Sequence, residues 1–221
     1  MAKRPTTNAV SKTRSTIELL ALFGLLPAAM AWGFARPPVV LPLLAGGLLC
    51  WVLLRRDSTF DRRDLWRAEA LPAALPRILL RFVAGGAILT LATAWLVPDS
   101  LFALPRRDPG LWVLVMIGYP LVSVFPQELI FRSFFLHRYR HLLGPAAMVV
   151  SAVAFAWAHI LFRNWPAVVL TFPAGLLFAS TYRRHRSLAC AVLEHALWGD
   201  LVFTLGLGRF FYSGLIGAGS G

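Results

Sequence analysis

The sequence predicts an all-α, polytopic bundle of about seven transmembrane helices, with a short interfacial amphipathic helix between the second and third. Three observations carry that reading. The 221 residues are 58% apolar and only 14% charged, against about 25% charged in a soluble domain, so lipid must cover most of the outside. The apolar stretches are continuous and reach the roughly 17 to 25 residues that carry a helix across a bilayer. A closed barrel, the other way to satisfy every backbone group in hydrocarbon, would show short alternating stretches instead.

Seven apolar blocks lie between charged residues: Leu19–Ala35, Pro37–Leu54, Phe82–Pro98, about Gly110 to Leu136, Pro145–Phe162, Trp165–Tyr182 and Ser187 to about Leu207. A basic leader and the small-x-small run Ala29-Met30-Ala31 give the first block the look of a signal peptide. Because further spans follow at once, an uncleaved signal anchor is expected. The mixed segment Arg55–Arg81 has the length and composition of an amphipathic helix lying on anionic head groups. The domains expected are a basic cytoplasmic leader (1–16), an N-terminal transmembrane region (17–109), a four-span core (110–208) and a frayed Gly/Ser-rich tail (209–221).

The net charge of +12 does not indicate nucleic acid, because the basic residues flank apolar blocks instead of lining one face. They report orientation. With the N-terminus inside, 17 of the 22 Lys and Arg residues fall on inner segments, as the positive-inside rule requires. The expectation is an inner membrane of bacterial type, the N-terminus cytoplasmic and the C-terminus external. Cys50 and Cys190 sit in apolar blocks without metal-type spacing and read as buried thiols.

Ionisable groups inside spans are costly and mark function by default. Here they are Glu128 and Arg132 in the fourth block, His159 in the fifth, and Glu194, His195 and Asp200 in the seventh. Glu128 and His159 each lie about fifteen residues, or ~22 Å along a helix, from the Leu143-Gly144-Pro145 turn, and so fall level on a hairpin. His195, nine residues beyond the basic Arg183–Arg186 turn, reaches about 13 Å, comparable to the depth of the other two once the hairpin's aqueous end is discounted. Glu128 and Arg132 are i and i+4, on one helix face with the acid first, as an ion pair prefers. Phe155 and His159 share the same spacing. Glu194 and His195 are adjacent and point about 100° apart, so only one can face a common centre. His195 shares its face with Gly199, and Asp200 lies slightly off it.

These residues resemble the successive motifs of a known family. Pro126-Gln127-Glu128-Leu129-Ile130-Phe131-Arg132, then Phe155-Ala156-Trp157-Ala158-His159, then His195-Ala196-Leu197-Trp198-Gly199-Asp200 are similar to those of the CAAX-protease and bacteriocin-processing (CPBP) proteins, the type II CAAX prenyl endopeptidases. The resemblance covers about Leu111 to Leu207. It implies an intramembrane endopeptidase acting on a membrane-associated protein or peptide, with Glu128, Arg132, His159, His195 and Asp200 as site residues. Glu128 is expected as general base oriented by Arg132, His159 as its partner on water, and His195 as the group that polarises the scissile carbonyl. Two departures stand out. The family's first glutamate is Gln127 here, and the residue one turn after the late histidine is Gly199, with Asp200 following.

Family members are commonly described as metalloproteases, and Glu128, His159 and His195 could hold zinc or serve a metal-free reaction; the sequence leaves both open. Two rival classes remain beside the peptidase. One is a non-catalytic immunity or scaffold protein that retains the family cavity. The other is a carrier, which should spread acids and bases across the bilayer instead of clustering them at one depth.

Overall fold

A computed structural model describes residues 6–33 and 39–211. The basic leader residues Lys3 and Arg4, the junction at Arg36 and Pro37, and the tail Gly214–Gly221 lie outside the described residues. Among those described the protein is helical throughout, without strands. Seven helical rods follow the seven apolar blocks: α1 (Lys12–Gly33), α2 (Val40–Arg56), α3 (Ala68–Leu96), α4 (Pro109–Arg138), α5 (Arg140–Phe162), α6 (Trp165–His185) and α7 (Leu188–Thr204). Five of them are long and apolar enough to cross a membrane by themselves. The other two, α2 and α7, have 17 residues each, about 26 Å of helix.

The third rod departs from expectation. It begins at Ala68 instead of Phe82, and no amphipathic helix fills the segment before it. That segment makes one short 3-10 turn, Arg62–Leu65, and the rod itself opens with another, Ala68–Ala70. Asp61 caps the first by accepting from the Arg63 N–H, and Asp64 is fully buried between Arg67 (2.8 Å) and Arg186 (2.5 Å). Side-chain pairing, not an apolar face on lipid, holds the loop. The rod can start early because Arg81, read as a boundary residue, finds partners inside the bundle: Glu194 at 3.3 Å and Thr181 at 3.1 Å. A paired arginine is tolerated where a bare one would not be.

The outer surface is apolar, with Trp95, Leu80 and Leu91 each more than two-thirds exposed, a face that only lipid can cover. Inside, Phe23 of α1 meets Phe131, Phe135 and Tyr139 of the α4 region edge-on at 4.9 to 5.9 Å. Such pairs contribute about 0.5–1.5 kcal/mol each beyond their burial. The α5 and α6 rods pack closely as a hairpin, and α7 lies against α3, α4 and α6. Cys50 and Cys190 are buried and unpaired.

The α4 rod is not a uniform helix. Its α-helical turns are interrupted by wider i→i+5 segments at Pro120–Val124 and Leu129–Phe134, with Phe125–Glu128 between them. Proline lacks an N–H and crowds the carbonyl four residues back; Pro120 and Pro126 both fall in this stretch, and a wider turn relieves that crowding. Glu128 and Arg132 therefore sit at an irregular point of an otherwise apolar span.

Candidate active site

Five rods, α3 to α7, converge on one cavity of about 410 Å³, whose walls include His159, His195, Tyr119, Phe155, Phe178 and Gly199. Each histidine is set by a local acceptor. At the end of α5 the helix tightens into a 3-10 turn over His159–Phe162, and His159 Nδ1–H donates to the Phe155 carbonyl at 2.7 Å. A carbonyl can only accept, so Nδ1 carries the hydrogen and the neutral ring keeps its lone pair on Nε2. His195 Nδ1–H donates to Glu128 Oε1 at 2.9 Å, and its Nε2 lies 3.1 Å from the Tyr119 hydroxyl. Its ring is stacked on Phe178 with centroids 4.5 Å apart and meets the edge of Phe155 at 5.5 Å. Both imidazoles are thus fixed in rotamer and in tautomer.

Glu128 and Arg132 have no exposed surface and form the expected ion pair, Oε2 to Nε at 3.1 Å. Arg132 also donates to Ser151 Oγ at 3.0 Å and lies over the Phe155 ring, 4.8 Å from its centroid. Glu128 is not on the cavity wall. One of its oxygens is bonded to His195 and the other faces Arg132, so it is placed behind the histidine and not against water. This placement differs from that of the carboxylate aimed at a water molecule that the sequence led us to expect. The physical reason is that a buried carboxylate needs its oxygens matched, and the nearest donors are the arginine and the imidazole.

Four further residues complete the comparison with expectation. Asp200 does not line the cavity, and no hydrogen bond joins it to His195 among the described residues. Glu194 turns away to Arg81, as the angle between adjacent helix positions requires. Gln127 donates to Ser123 Oγ at 2.7 Å and is absent from the cavity wall. Tyr119 is the residue that sequence reasoning missed. Nine residues before Glu128, it would lie about 180° around a regular helix from it; the wide turn at Pro120–Val124 re-phases the rod and brings both to His195. Its one sequence signal is a phenol in the middle of an apolar span.

A metal does not fit these residues as they stand. Among the described residues no group of three His, Cys, Asp or Glu is arranged to hold an ion. In the expected set of Glu128, His159 and His195, both ring nitrogens of His195 are engaged and the Glu128 oxygens serve His195 and a guanidinium. Among the described residues, His159 Nε2 is the one ring nitrogen of that set without a hydrogen-bond partner.

No curated protein and no solved structure matches the chain. Residues 109–199 match the family described as type II CAAX prenyl endopeptidase Rce1-like, a stretch that contains Tyr119, Glu128, Arg132, His159 and His195. The match agrees with the resemblance read from the motifs: the segment that supplies Tyr119, His159 and His195 to the cavity is similar to the type II CAAX prenyl endopeptidase Rce1-like family.

Proposed function

We propose that the protein is an intramembrane endopeptidase that hydrolyses a peptide bond in a prenylated or otherwise membrane-held protein, with His159 as the general base. The observation that carries this reading is the free Nε2 of His159 on the wall of an apolar cavity. Its Nδ1 is tied to a backbone carbonyl, so the ring is oriented, and the residue lines the space a substrate would fill. A positioned imidazole of this kind contributes typically about 10²–10⁴-fold to a hydrolysis. In the reaction, Nε2 takes a proton from water while the water oxygen bonds to the scissile carbonyl carbon. The carbonyl electron pair moves to oxygen. On collapse the C–N bond breaks, and the proton held on His159 passes to the leaving nitrogen, giving an acid and an amine.

Glu128 acts in this reading through His195, and Arg132 supplies the charge that keeps the buried carboxylate paired. The apolar lining, including Ile88, Leu170, Leu177 and Val202, suits a hydrocarbon-bearing substrate. No step is assigned to a metal, since the donors do not form a site for one. The reading is tested by reconstituting the purified protein in liposomes with a farnesylated peptide carrying a CAAX terminus, and following products by mass spectrometry. Cleavage at the prenylated cysteine, unchanged by chelator, is expected. No cleavage of this peptide or of membrane-anchored peptides would favour the non-catalytic scaffold reading.

A further inference from the structure

The tautomer of His195 raises a chemical problem that its neighbour resolves. With Nδ1–H given to the Glu128 carboxylate, the remaining nitrogen of the neutral ring is an acceptor. His195 alone therefore has no hydrogen to offer a carbonyl oxygen in the cavity. The group beside it does. The Tyr119 hydroxyl sits 3.1 Å from Nε2, and Tyr119 lines the cavity. Since Nε2 accepts, the phenol donates, and its position is set by the chain Arg132, Glu128, His195, Tyr119.

We propose that Tyr119 is a catalytic residue of this site, the hydrogen-bond donor to the carbonyl oxygen of the scissile bond, held in place by His195. This rests on the peptidase reading above. Rotation about the phenolic C–O bond turns the hydrogen from Nε2 toward the oxygen that becomes negative when water adds. Tyr119 keeps its proton throughout; it stabilises the tetrahedral oxyanion, and the electron pair returns to the carbonyl as the C–N bond breaks.

Gly199 is the second observation. It lies one turn after His195 on the same face of α7, where a side chain would point at the same spot. A Cβ there would come within 2.2 Å of the Tyr119 ring and 2.6 Å of its hydroxyl oxygen. Any residue larger than glycine would therefore push the phenol out of the site. The ring is further fixed by an edge contact with Phe203 at 5.1 Å. Glycine at 199 and tyrosine at 119 form one device: the α7 helix gives up a side chain, and α4 fills the space with a hydroxyl.

The test uses the full-length protein in liposomes with the same farnesylated peptide. Tyr119→Phe removes one oxygen and leaves the ring packing intact. It is expected to lower kcat by about 10²-fold, the usual effect of deleting one oxyanion donor, with KM within about twofold and unfolding temperature unchanged. A peptide with a phosphinate in place of the scissile amide, mimicking the tetrahedral intermediate, is expected to lose affinity by a similar factor, while a non-cleavable ground-state analogue does not. Wild-type kcat and wild-type phosphinate affinity in Tyr119→Phe would overturn the assignment while leaving the peptidase reading standing. Absence of cleavage by the wild type itself would instead refute the peptidase reading. As a second variant, Gly199→Ala is expected to reduce kcat although it touches no substrate, because it displaces Tyr119; full activity there would also count against the proposal.

Discussion

Glu128 is the residue whose role differs most between pattern and structure. Its place in the motif marks it as a base, yet its oxygens face an arginine and an imidazole and none of its surface is open. In the proposed reaction it is a positioning group. Glu128→Gln keeps the shape but leaves the buried Arg132 guanidinium without a counter-charge, beside Ser151 and the rings of Phe155 and Phe178. Breaking a buried pair from one side typically costs about 3–5 kcal/mol, so a clear fall in unfolding temperature in detergent is expected. The amide can also flip and donate to His195 Nδ1, forcing the wrong tautomer, with kcat reduced by on the order of 10²-fold or more. A variant as stable and as active as wild type would remove Glu128 from this account. The motif residues themselves were legible because ionisable groups in apolar spans are so few. Their division of labour was not, because it depends on which oxygen meets which nitrogen, a matter of rotamers and not of spacing.

At the scale of elements, the rods were readable from apolar length, and their irregularities were not. The early start of α3 depends on Arg81 finding Glu194 over a hundred residues away, which no local pattern records. The re-phasing of α4 depends on how two prolines are accommodated, and it is what brings Tyr119 to His195. The loop after α2 is tied to α4 by Asp57, whose carboxylate accepts from His137 Nε2 at 2.9 Å and from the backbone and hydroxyl of Thr59. The His137 bond foremost, and the Thr59 bonds with it, hold its pKa at about 2, below the usual 3.8. A depressed carboxylate contributes stability above its unfolded pKa and loses it as the pH falls from about 4 toward 2. Because the group is partly exposed, the effect is small. Asp57→Asn is expected to lower the unfolding temperature by about 1–3 °C near neutral pH, and by less as the pH approaches about 2. A gap that stays constant over that range would show that the carboxylate charge is not what the loop uses.

For the whole molecule, the apolar exterior and the helix count agree with a polytopic bundle, and the sidedness proposed from the basic residues can be checked independently of chemistry. In a background without Cys50 and Cys190, Asp99→Cys in the loop after α3 is expected to react with an impermeant thiol reagent on intact cells. Ser58→Cys in the loop after α2 is expected to react only after permeabilisation. Equal labelling of both would contradict the proposed orientation without touching the site. The central claim is that this bundle carries a hydrolytic centre in which His159 activates water, and one contrast tests it most directly. Wild type and His159→Ala, reconstituted at equal folded amounts in liposomes, are compared for cleavage of the farnesylated peptide. The account predicts cleavage by the wild type and a rate at least about 10²-fold lower in His159→Ala; equal rates in the two proteins would contradict it.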